Sequence, residues 1–361
     1  MGQVIRETYD ENLNEIIRLK TTDEGKIVFT SIKQGNGIDG IQSMQKPLFA
    51  HIRLTNKCNL NCQYCYTKDN SSTSDMSDEE IDKLIELCNS NGVMNITWTG
   101  GEPLLRSKFV DFIKKTNLYG INQTILTNGL LLDKIDLKSI PKQNLTFQIS
   151  LNDVWKQSTD IDIIIQNAKR LINNKYSVIM SVMLISVEID QVRKLLDQLI
   201  ENNIPGIRFG LEIPIGGLKN MDMSIYENHM MNMMGKLLLL KKEYMNKIQI
   251  FYQFDKNIYS DTGIPRRFFM CEAGTTQIYI DNNGDVYPCP LFKGFKEFYC
   301  GNVFEKTWLE LWNSKPMKQF RSVEECADCN YSCGVWCRAF IYNKNKSLKG
   351  TSPYCLKKIQ G

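Results

Sequence analysis

Six alternations of a strand pattern with a helix pattern limit the possible folds of this chain more than any other feature. The predicted strands are residues 49–54, 93–98, 123–126, 145–150, 177–185 and 207–213. The predicted helices are residues 77–91, 107–116, 134–139, 162–173, 190–202 and 224–246. Because parallel strands need a crossover connection, which is usually a helix, this alternation predicts an α/β fold with a parallel sheet or barrel.

The two ends of the chain do not follow this alternation. Residues 1–46 predict a short N-terminal appendage, with a helix at 12–19 and a strand at 26–32. The α/β region is predicted to span residues 47–255, and residues 256–361 form a small cysteine-rich domain after it. The chain is therefore expected to contain one large α/β domain and one small C-terminal domain.

The C-terminal domain contains only short strand patterns, at residues 276–280 and 285–287. Asn283–Gly284 between them is a strong β-hairpin signal, because both central residues of such a turn need φ > 0. A segment of this kind buries little apolar core for its length. We therefore expect bound metal to supply much of its stability.

Composition excludes several classes of protein. The net charge of +4 is too small to predict nucleic acid or an anionic membrane as the partner. The two histidines, His51 and His229, are too few for a site built on clustered imidazoles. Four acidic residues lie in the first 20 positions, where a signal peptide would be basic and apolar, and this predicts a cytoplasmic protein.

The twelve cysteines are unevenly spread along the chain. Three lie close together at Cys58, Cys62 and Cys65, Cys88 stands alone, and eight fall between residues 271 and 355. Because the cytosol is reducing, clustered thiols there indicate metal ligands or redox catalysis before disulfides.

The first cysteine group is a C-x3-C-x2-C loop directly after a predicted strand. Three closely spaced thiolates can hold three corners of an iron–sulfur cubane, whose fourth iron then lacks a protein ligand. An open metal position is what a catalytic site keeps for its substrate. The alternatives are a zinc loop that takes its fourth ligand from elsewhere and a set of buried free thiols.

A second motif follows one strand–helix unit later, at Gly100-Gly101-Glu102-Pro103. Glycines at such a turn let the backbone approach a ligand closely. Glu102 supplies a carboxylate for an ammonium group. The motif is weak alone and strong in combination with the cysteine loop.

Together these two motifs resemble those of the radical S-adenosylmethionine (SAM) superfamily, over roughly residues 49–217. The resemblance implies a partial (β/α)6 TIM-like barrel. It implies that SAM chelates the open iron through its amino and carboxylate groups. It also implies that the reduced cluster cleaves SAM to methionine and a 5′-deoxyadenosyl radical.

The resemblance assigns roles to individual residues. Cys58, Cys62 and Cys65 would hold the catalytic 4Fe–4S cluster, and Tyr64 would lie beside the adenine. Gly100, Gly101 and Glu102 would bind the amino end of the methionine moiety.

Ser150 resembles the polar residue that the family places beside the ribose. This chain reads Ser150-Leu151-Asn152-Asp153 where relatives commonly read Ser-Leu-Asp-Gly, and no arginine follows before Arg170. Asn152 is therefore a second candidate for a SAM contact. The alternative is that Ser150 and Asn152 only turn a strand into a loop.

The C-terminal cysteines resemble a SPASM domain, which binds two auxiliary iron–sulfur clusters in radical SAM enzymes. The central spacing here is C-x2-C-x3-C-x3-C, two residues shorter than the usual pattern. By family analogy the distal cluster takes Cys326, Cys329, Cys333 and Cys355. Three ligands of the proximal cluster would be Cys271, Cys289 and Cys337.

Two cysteines need separate interpretation. Cys88 falls on an apolar helical stripe with Ile81, Leu84 and Ile85, which predicts a buried core thiol. The role of Cys300 has three alternatives. It could be the fourth ligand of the proximal cluster, a hydrogen-atom donor, or an ordinary residue of a hairpin. Ligation is the first choice, because two sets of four cysteines then account for all eight.

Two residues of the predicted strands are weaker candidates for functional residues. His51 alternates with Phe49 and Arg53 along a strand and is predicted to be structural. Arg208 lies on a polar strand face that points either into the barrel mouth or to an outer solvated edge.

The expected activity is that of a radical SAM enzyme that contains SAM and three 4Fe–4S clusters. The resemblance implies a peptide or small protein substrate, and an electron donor such as flavodoxin or ferredoxin. It favours a thioether or carbon–carbon cross-link in a ribosomally made peptide. The alternatives are formylglycine formation, as in anaerobic sulfatase maturation, and dehydrogenation or epimerisation of a small molecule or peptide residue. A noncatalytic zinc- or cluster-binding protein is the alternative of another class.

Overall fold

The computed structural model describes residues 3–23, 27–33, 44–62, 64–67, 74–151, 158–184, 188–210, 213–219, 222–252, 271–321 and 337–350. The strands are β1 Val4–Asp10, β2 Glu15–Thr21, β3 Ile27–Lys33, β4 Phe49–Arg53, β5 Asn95–Thr99, β6 Asn122–Thr127, β7 Leu145–Ser150, β8 Ser177–Met183, β9 Gly206–Gly210, β10 Gln249–Tyr252, β11 Gln277–Ile280, β12 Asp285–Tyr287 and β13 Gly301–Asn302. The helices are α1 Asp78–Ser90, α2 Phe109–Leu118, α3 Ser158–Asn173, α4 Ile189–Glu201, α5 Met223–Glu243, α6 Trp308–Trp312, α7 Lys315–Arg321 and α8 Arg338–Asn345. No helix among these residues is long and apolar enough to cross a bilayer.

A ten-stranded sheet forms the centre of the molecule. Its order is β10-β9-β8-β7-β6-β5-β4-β11-β12-β13, and every pairing from β10 to β11 is parallel. Strands β4 to β9 are adjacent in sequence order, as strands joined by crossovers should be. This confirms the predicted α/β class, and the mostly parallel sheet is consistent with a partial TIM-like barrel.

Helix α1 shows why the predicted helices form where they do. The Ser77 hydroxyl accepts a hydrogen bond from the Glu80 N–H, and the Glu80 carboxylate accepts one from the Ser77 N–H. This is the predicted capping box. Its apolar stripe, which ends at Cys88, is fully buried against the sheet. Cys88 is therefore the buried core thiol that the sequence predicted. In place of the helix predicted at 134–139, the structure has two 3-10 turns, Leu132–Lys134 and Leu137–Ser139.

The predicted N-terminal helix at 12–19 is wrong. This segment lies in the antiparallel sheet β1-β2-β3, where Asn14 has φ of 51° in the turn that precedes β2. Burial alternates along β2, so that Ile17 and Leu19 face the core. That period of two is the signal of a half-buried strand, and it outweighs the helix propensity of the segment. The predicted strand at 26–32 is confirmed as β3.

The N-terminal sheet packs against the amino ends of the central strands. Its apolar face meets Leu48, Phe49 and Met94 at the start of β4 and before β5. The Arg6 guanidinium donates to the Asn89 backbone oxygen at 3.0 Å, at the end of α1. The N-terminal sheet therefore does not cover the carboxyl ends of the parallel strands, and the cysteine loops lie at those ends.

The predicted hairpin at Asn283–Gly284 is present and joins β11 to β12, but its turn differs from the expected type. Only Gly284 has a positive φ, of 84°, and its N–H donates to the Asp281 oxygen at 2.9 Å. β11 pairs in parallel with β4, so the C-terminal cysteine-rich segment extends the central sheet. The sequence did not predict this pairing, because the two strands lie more than 220 residues apart.

Candidate functional site

The three cysteines of the first motif lie on the loop that leaves the carboxyl end of β4. Cys58 is exposed, and Cys62 and Cys65 are half-buried. Partial desolvation raises the pKa of the Cys58 thiol, and the nearby charges of Glu102, Cys62 and Cys65 raise it further. Cys62, Cys65 and the Glu102 carboxylate therefore all act electrostatically on the Cys58 thiol.

Main-chain hydrogen bonds join the glycine motif to the cysteine loop beyond the end of the strands. The Gly101 N–H donates to the Thr55 oxygen at 2.7 Å, and the Glu102 N–H donates to the Lys57 oxygen at 2.8 Å. A Cβ on Gly101 would lie 2.2 Å from the Lys57 oxygen. Gly101 is therefore required by the packing of one loop on the other, a reason that the sequence did not reveal.

The Glu102 carboxylate is buried and accepts three hydrogen bonds. One oxygen accepts from the Leu104 N–H at 3.1 Å and the Thr127 hydroxyl at 2.8 Å, and the other accepts from the Asn128 N–H at 2.8 Å. Burial raises the pKa of Glu102, whereas these hydrogen bonds lower it. The carboxylate thus joins the glycine loop to the end of β6. Its predicted contact with SAM stays a prediction, and Thr127 and Asn128 are site residues that the sequence analysis missed.

Two other predicted SAM contacts can be placed. Tyr64 lies half-buried within the cysteine loop. Ser150 is the last residue of β7, and its register partner on β8 is Ser181. Asn152 lies outside the described residues.

The face of the sheet opposite α1–α5 is polar. Trp98, Ile125 and Ile207 point to the helices and are buried, whereas residues between such positions point the other way. One of these, Arg208, is exposed on that opposite face. The others that share it include the polar residues Thr97, Thr124, Thr146, Gln148, Ser150 and Ser181, together with the apolar Leu126 and Ile179. A parallel sheet is usually apolar on both faces, so this polar face indicates a place for a ligand.

The described cysteines of the C-terminal set lie in two places. Cys271, Cys289 and Cys337 contact one cluster of aromatic side chains, which includes Phe292 and Phe320. Burial, and after it the Cys271 thiol, raise the pKa of Cys337 to about 12. Burial also raises the pKa of Cys289, with further contributions from Cys337 and Cys271. Cys271, Cys289 and Cys337 thus pack on the same aromatic cluster, and their role as the proximal set stays a prediction.

Cys300 is not part of this group. It is buried in the main core beside Trp312 and Met317, and its thiol donates to the Phe298 oxygen at 3.5 Å. Burial raises the pKa of Cys300 to about 11, even though the hydrogen bond with the Ser314 hydroxyl opposes the shift. Cys300 thus packs in a different core cluster from Cys271, Cys289 and Cys337. This placement favours the hairpin interpretation, and ligation by Cys300 stays a prediction. The predicted distal set, Cys326, Cys329, Cys333 and Cys355, lies outside the described residues.

A buried ion-pair group connects the two cysteine regions. The Asp281 carboxylate, at the end of β11, lies 3.2 Å from the Arg53 guanidinium and 2.6 Å from the Lys293 ammonium. Arg53 ends β4, just before the first cysteine loop, and Lys293 follows Cys289 by four residues. Both cysteine regions are thereby fixed at the same edge of the sheet.

The donor set suits iron–sulfur clusters. Thiols dominate both regions, and thiolate is the usual protein ligand of such clusters. The first loop offers three thiols, which would leave one iron of a cubane open to SAM. In the part of the chain that the structure describes, no three Cys, His, Asp or Glu side chains converge on a site for a single metal ion.

Comparison with curated proteins finds two informative relatives. The chain is 34% identical to a GTP 3′,8-cyclase of Clostridium perfringens over 182 residues, which cover 46% of this chain and 56% of the cyclase. The chain thus spans little more than half the length of that relative. It is 22% identical to the mycofactocin maturase MftC of Mycolicibacterium smegmatis over 87% of this chain and 84% of the maturase.

Among solved structures, the fold is similar to that of SuiB from Streptococcus suis. The structure of SuiB bound to S-adenosylmethionine gives a TM-score of 0.68 at 19% identity and covers 87% of this chain and 78% of SuiB. The structure with precursor peptide SuiA gives 0.65 at 18% identity, over 87% and 77%.

Two family profiles match consecutive parts of the chain. The Radical SAM superfamily matches residues 52–217, which include the first cysteine loop and the glycine motif. The SPASM iron–sulfur cluster-binding domain matches residues 271–333, which begin at Cys271. Both matches agree with the parallel sheet and with the two cysteine regions at its edge. The chain therefore contains a radical SAM domain followed by a C-terminal SPASM iron–sulfur cluster-binding domain.

Proposed function

We propose that this enzyme abstracts a hydrogen atom from a peptide and forms a thioether or carbon–carbon cross-link in a ribosomally made precursor. The observation that carries the proposal is the placement of two cysteine regions at one edge of a sheet whose adjoining face is polar. The similarity to a maturase over 87% of the chain, and to SuiB, which binds a precursor peptide, supports a peptide substrate.

The residues of the first loop would hold the catalytic cluster and SAM. Cys58, Cys62 and Cys65 would supply three thiolates, and the Glu102 carboxylate raises the pKa of the Cys58 thiol. When bound, the reduced cluster supplies one electron that cleaves SAM to methionine and the 5′-deoxyadenosyl radical. The chain's own contribution is to orient SAM and to present the polar face to the peptide.

The overall reaction balances if the peptide loses two hydrogens. One leaves as a hydrogen atom to the deoxyadenosyl radical, which becomes 5′-deoxyadenosine. Closure of the new bond releases the second as a proton and one electron. We propose that Cys271, Cys289 and Cys337 would hold an auxiliary cluster, which would serve as the acceptor of this electron. A flavodoxin or ferredoxin would supply the electron that SAM cleavage needs.

The metal content tests the cofactor assignment. Anaerobically reconstituted enzyme should contain roughly twelve irons, from three cubanes. The triple variant Cys58→Ala, Cys62→Ala, Cys65→Ala should keep about eight irons and should not cleave SAM. Cys88→Ala is the matched control, because this buried thiol is outside both regions, and it should keep the iron of the parent. Stoichiometric zinc in place of iron would contradict the proposal.

The substrate is tested with short peptides encoded beside the gene. Mass spectrometry should find a product lighter by two hydrogen atoms, with fragmentation blocked between the joined residues. A product of unchanged hydrogen count that takes deuterium from D2O would indicate epimerisation and would contradict cross-linking. Formylglycine at a single Ser or Cys would also contradict it.

A further inference from the structure

A loop at residues 213–217, here named the bridge loop, lies directly against the first cysteine loop. Gly216 has φ of 62°, a conformation that side chains rarely adopt. A Cβ at Gly216 would lie 2.7 Å from the Cys65 oxygen and 2.7 Å from the Tyr66 Cα. The Gly217 N–H donates to the same Cys65 oxygen at 3.1 Å. The bridge loop therefore fits the backbone of Cys65 with no room for a side chain.

The other side of the bridge loop is held by the auxiliary-cluster region. Ile213 and Ile215 pack on the aromatic cluster that contacts Cys271, Cys289 and Cys337. The Asn343 amide donates to the Pro214 oxygen at 2.9 Å, and Asn343 belongs to α8, which Cys337 precedes. The bridge loop thus cannot easily move away from the first cysteine loop.

These two sets of contacts determine which of the two loops is displaced when Gly216 is replaced by alanine. A Cβ within 3.0 Å of backbone atoms forces a displacement of one partner. Because the aromatic cluster and Asn343 hold the bridge loop in place, the Cys65–Tyr66 backbone would move instead. The thiol of Cys65 would move with it, away from the geometry that a cluster requires.

We propose that Gly216 is a positioning residue for Cys65, and that the bridge loop holds the first cysteine loop at a fixed distance from the auxiliary-cluster cysteines. This inference rests on the proposed function of Cys65 as a ligand of the catalytic cluster. Gly216 itself touches neither SAM nor substrate in this role. It acts by setting the place of a ligand on which SAM binding depends.

Three alanine variants test the proposal. Gly216→Ala combines backbone strain with the clash at Cys65. Gly120→Ala has nearly the same φ, of 67°, but its Cβ would only touch the Ile5 oxygen at 3.4 Å. Gly235→Ala, within α5, would have no atom within 4 Å. Gly120→Ala shows the effect of backbone strain without the clash at Cys65. Gly235→Ala shows the effect of an added methyl group without strain or clash.

The readouts are iron content, SAM affinity and the change that SAM causes in the EPR spectrum of the reduced protein. We expect Gly216→Ala to lose that change, or about a third of the iron, and to slow SAM cleavage on the order of 100-fold. The auxiliary-cluster signals should remain. Gly120→Ala and Gly235→Ala should match the parent in all of these measurements, apart from a lower Tm for Gly120→Ala.

The opposite outcomes are clear. If Gly216→Ala shows the parent's SAM-dependent spectrum and SAM affinity, the proposal is wrong. If the parent protein binds no catalytic cluster, the proposed function fails instead, whatever Gly216 does. If Gly216→Ala does not fold, Asn343→Ala provides a second test. It removes the hydrogen bond that holds the bridge loop on the side away from Cys65. It should weaken SAM binding by up to about tenfold, through loss of the Pro214 hydrogen bond, and unchanged affinity would overturn the proposal.

Discussion

At the residue scale, the site depends on glycines and a carboxylate whose main contacts are with the protein itself. Gly101 and Gly216 both lie where a Cβ would strike the backbone of the first cysteine loop, from two different sides. Glu102 ties that loop to the end of β6 through Thr127 and Asn128. What the structure shows of these residues is therefore that they hold the cysteine loop in place.

Cys300 packs in a different core cluster from the proximal cysteines, and we propose on that ground that it is not a cluster ligand. Cys300→Ala should keep all the iron and lower stability by about 1 kcal/mol, because it truncates one buried side chain in a packed core. Iron analysis and the thermal midpoint check this. Cys88→Ala is the matched buried thiol and should behave alike, whereas Cys289→Ala should lose iron. Loss of iron or an altered auxiliary-cluster spectrum in Cys300→Ala would restore ligation as its role.

At the scale of elements, the N-terminal sheet β1-β2-β3 closes the end of the central sheet that is away from the cysteines. Its alternating strand β2 places Ile17 and Leu19 against the starts of the parallel strands. Apolar contact of this kind stabilises the molecule without touching the chemistry. The sheet is therefore expected to contribute to stability and not to cluster binding.

Ile17→Ala tests the role of this sheet. The side chain is fully buried, so its truncation should cost about 2–5 kcal/mol and lower the Tm by several degrees. Ile32→Ala on β3 is the control, because Ile32 is 41% exposed and its loss should change stability by less than about 0.5 kcal/mol. Iron content should not change in either variant. Equal thermal midpoints for the two would show that the N-terminal sheet does not pack as described.

At the scale of the whole molecule, the radical SAM and SPASM regions share one sheet and one buried charge group. β11 continues the parallel sheet at β4, and Asp281 at its end binds both Arg53 and Lys293. Burial lowers the pKa of Lys293, and the Asp281 carboxylate opposes that shift. Two cations and one carboxylate thus hold the two cysteine regions together.

Asp281→Ala should be strongly destabilising, because it leaves the Arg53 guanidinium buried without its carboxylate. The expected cost is about 3–5 kcal/mol, reduced to the extent that Lys293 loses its proton. Anaerobic thermal unfolding measures it. Glu7→Ala, which breaks the exposed pair with Arg18, should cost less than about 1 kcal/mol. Similar midpoints for the two variants would contradict a buried connection between the regions.

The sequence by itself determined the parallel α/β class, the helix α1 with its capping box, and the two cysteine regions. These follow from local periodicity and from spacing along the chain, which short-range physics controls. It predicted the wrong element at residues 12–19, because the choice between helix and strand there depends on what the segment packs against. Tertiary structure alone decided that β11 joins β4, that Cys300 and Cys289 pack in different core clusters, and that Gly216 faces Cys65. Each of these is a contact between distant parts of the chain, and no local pattern records which distant backbone will lie opposite.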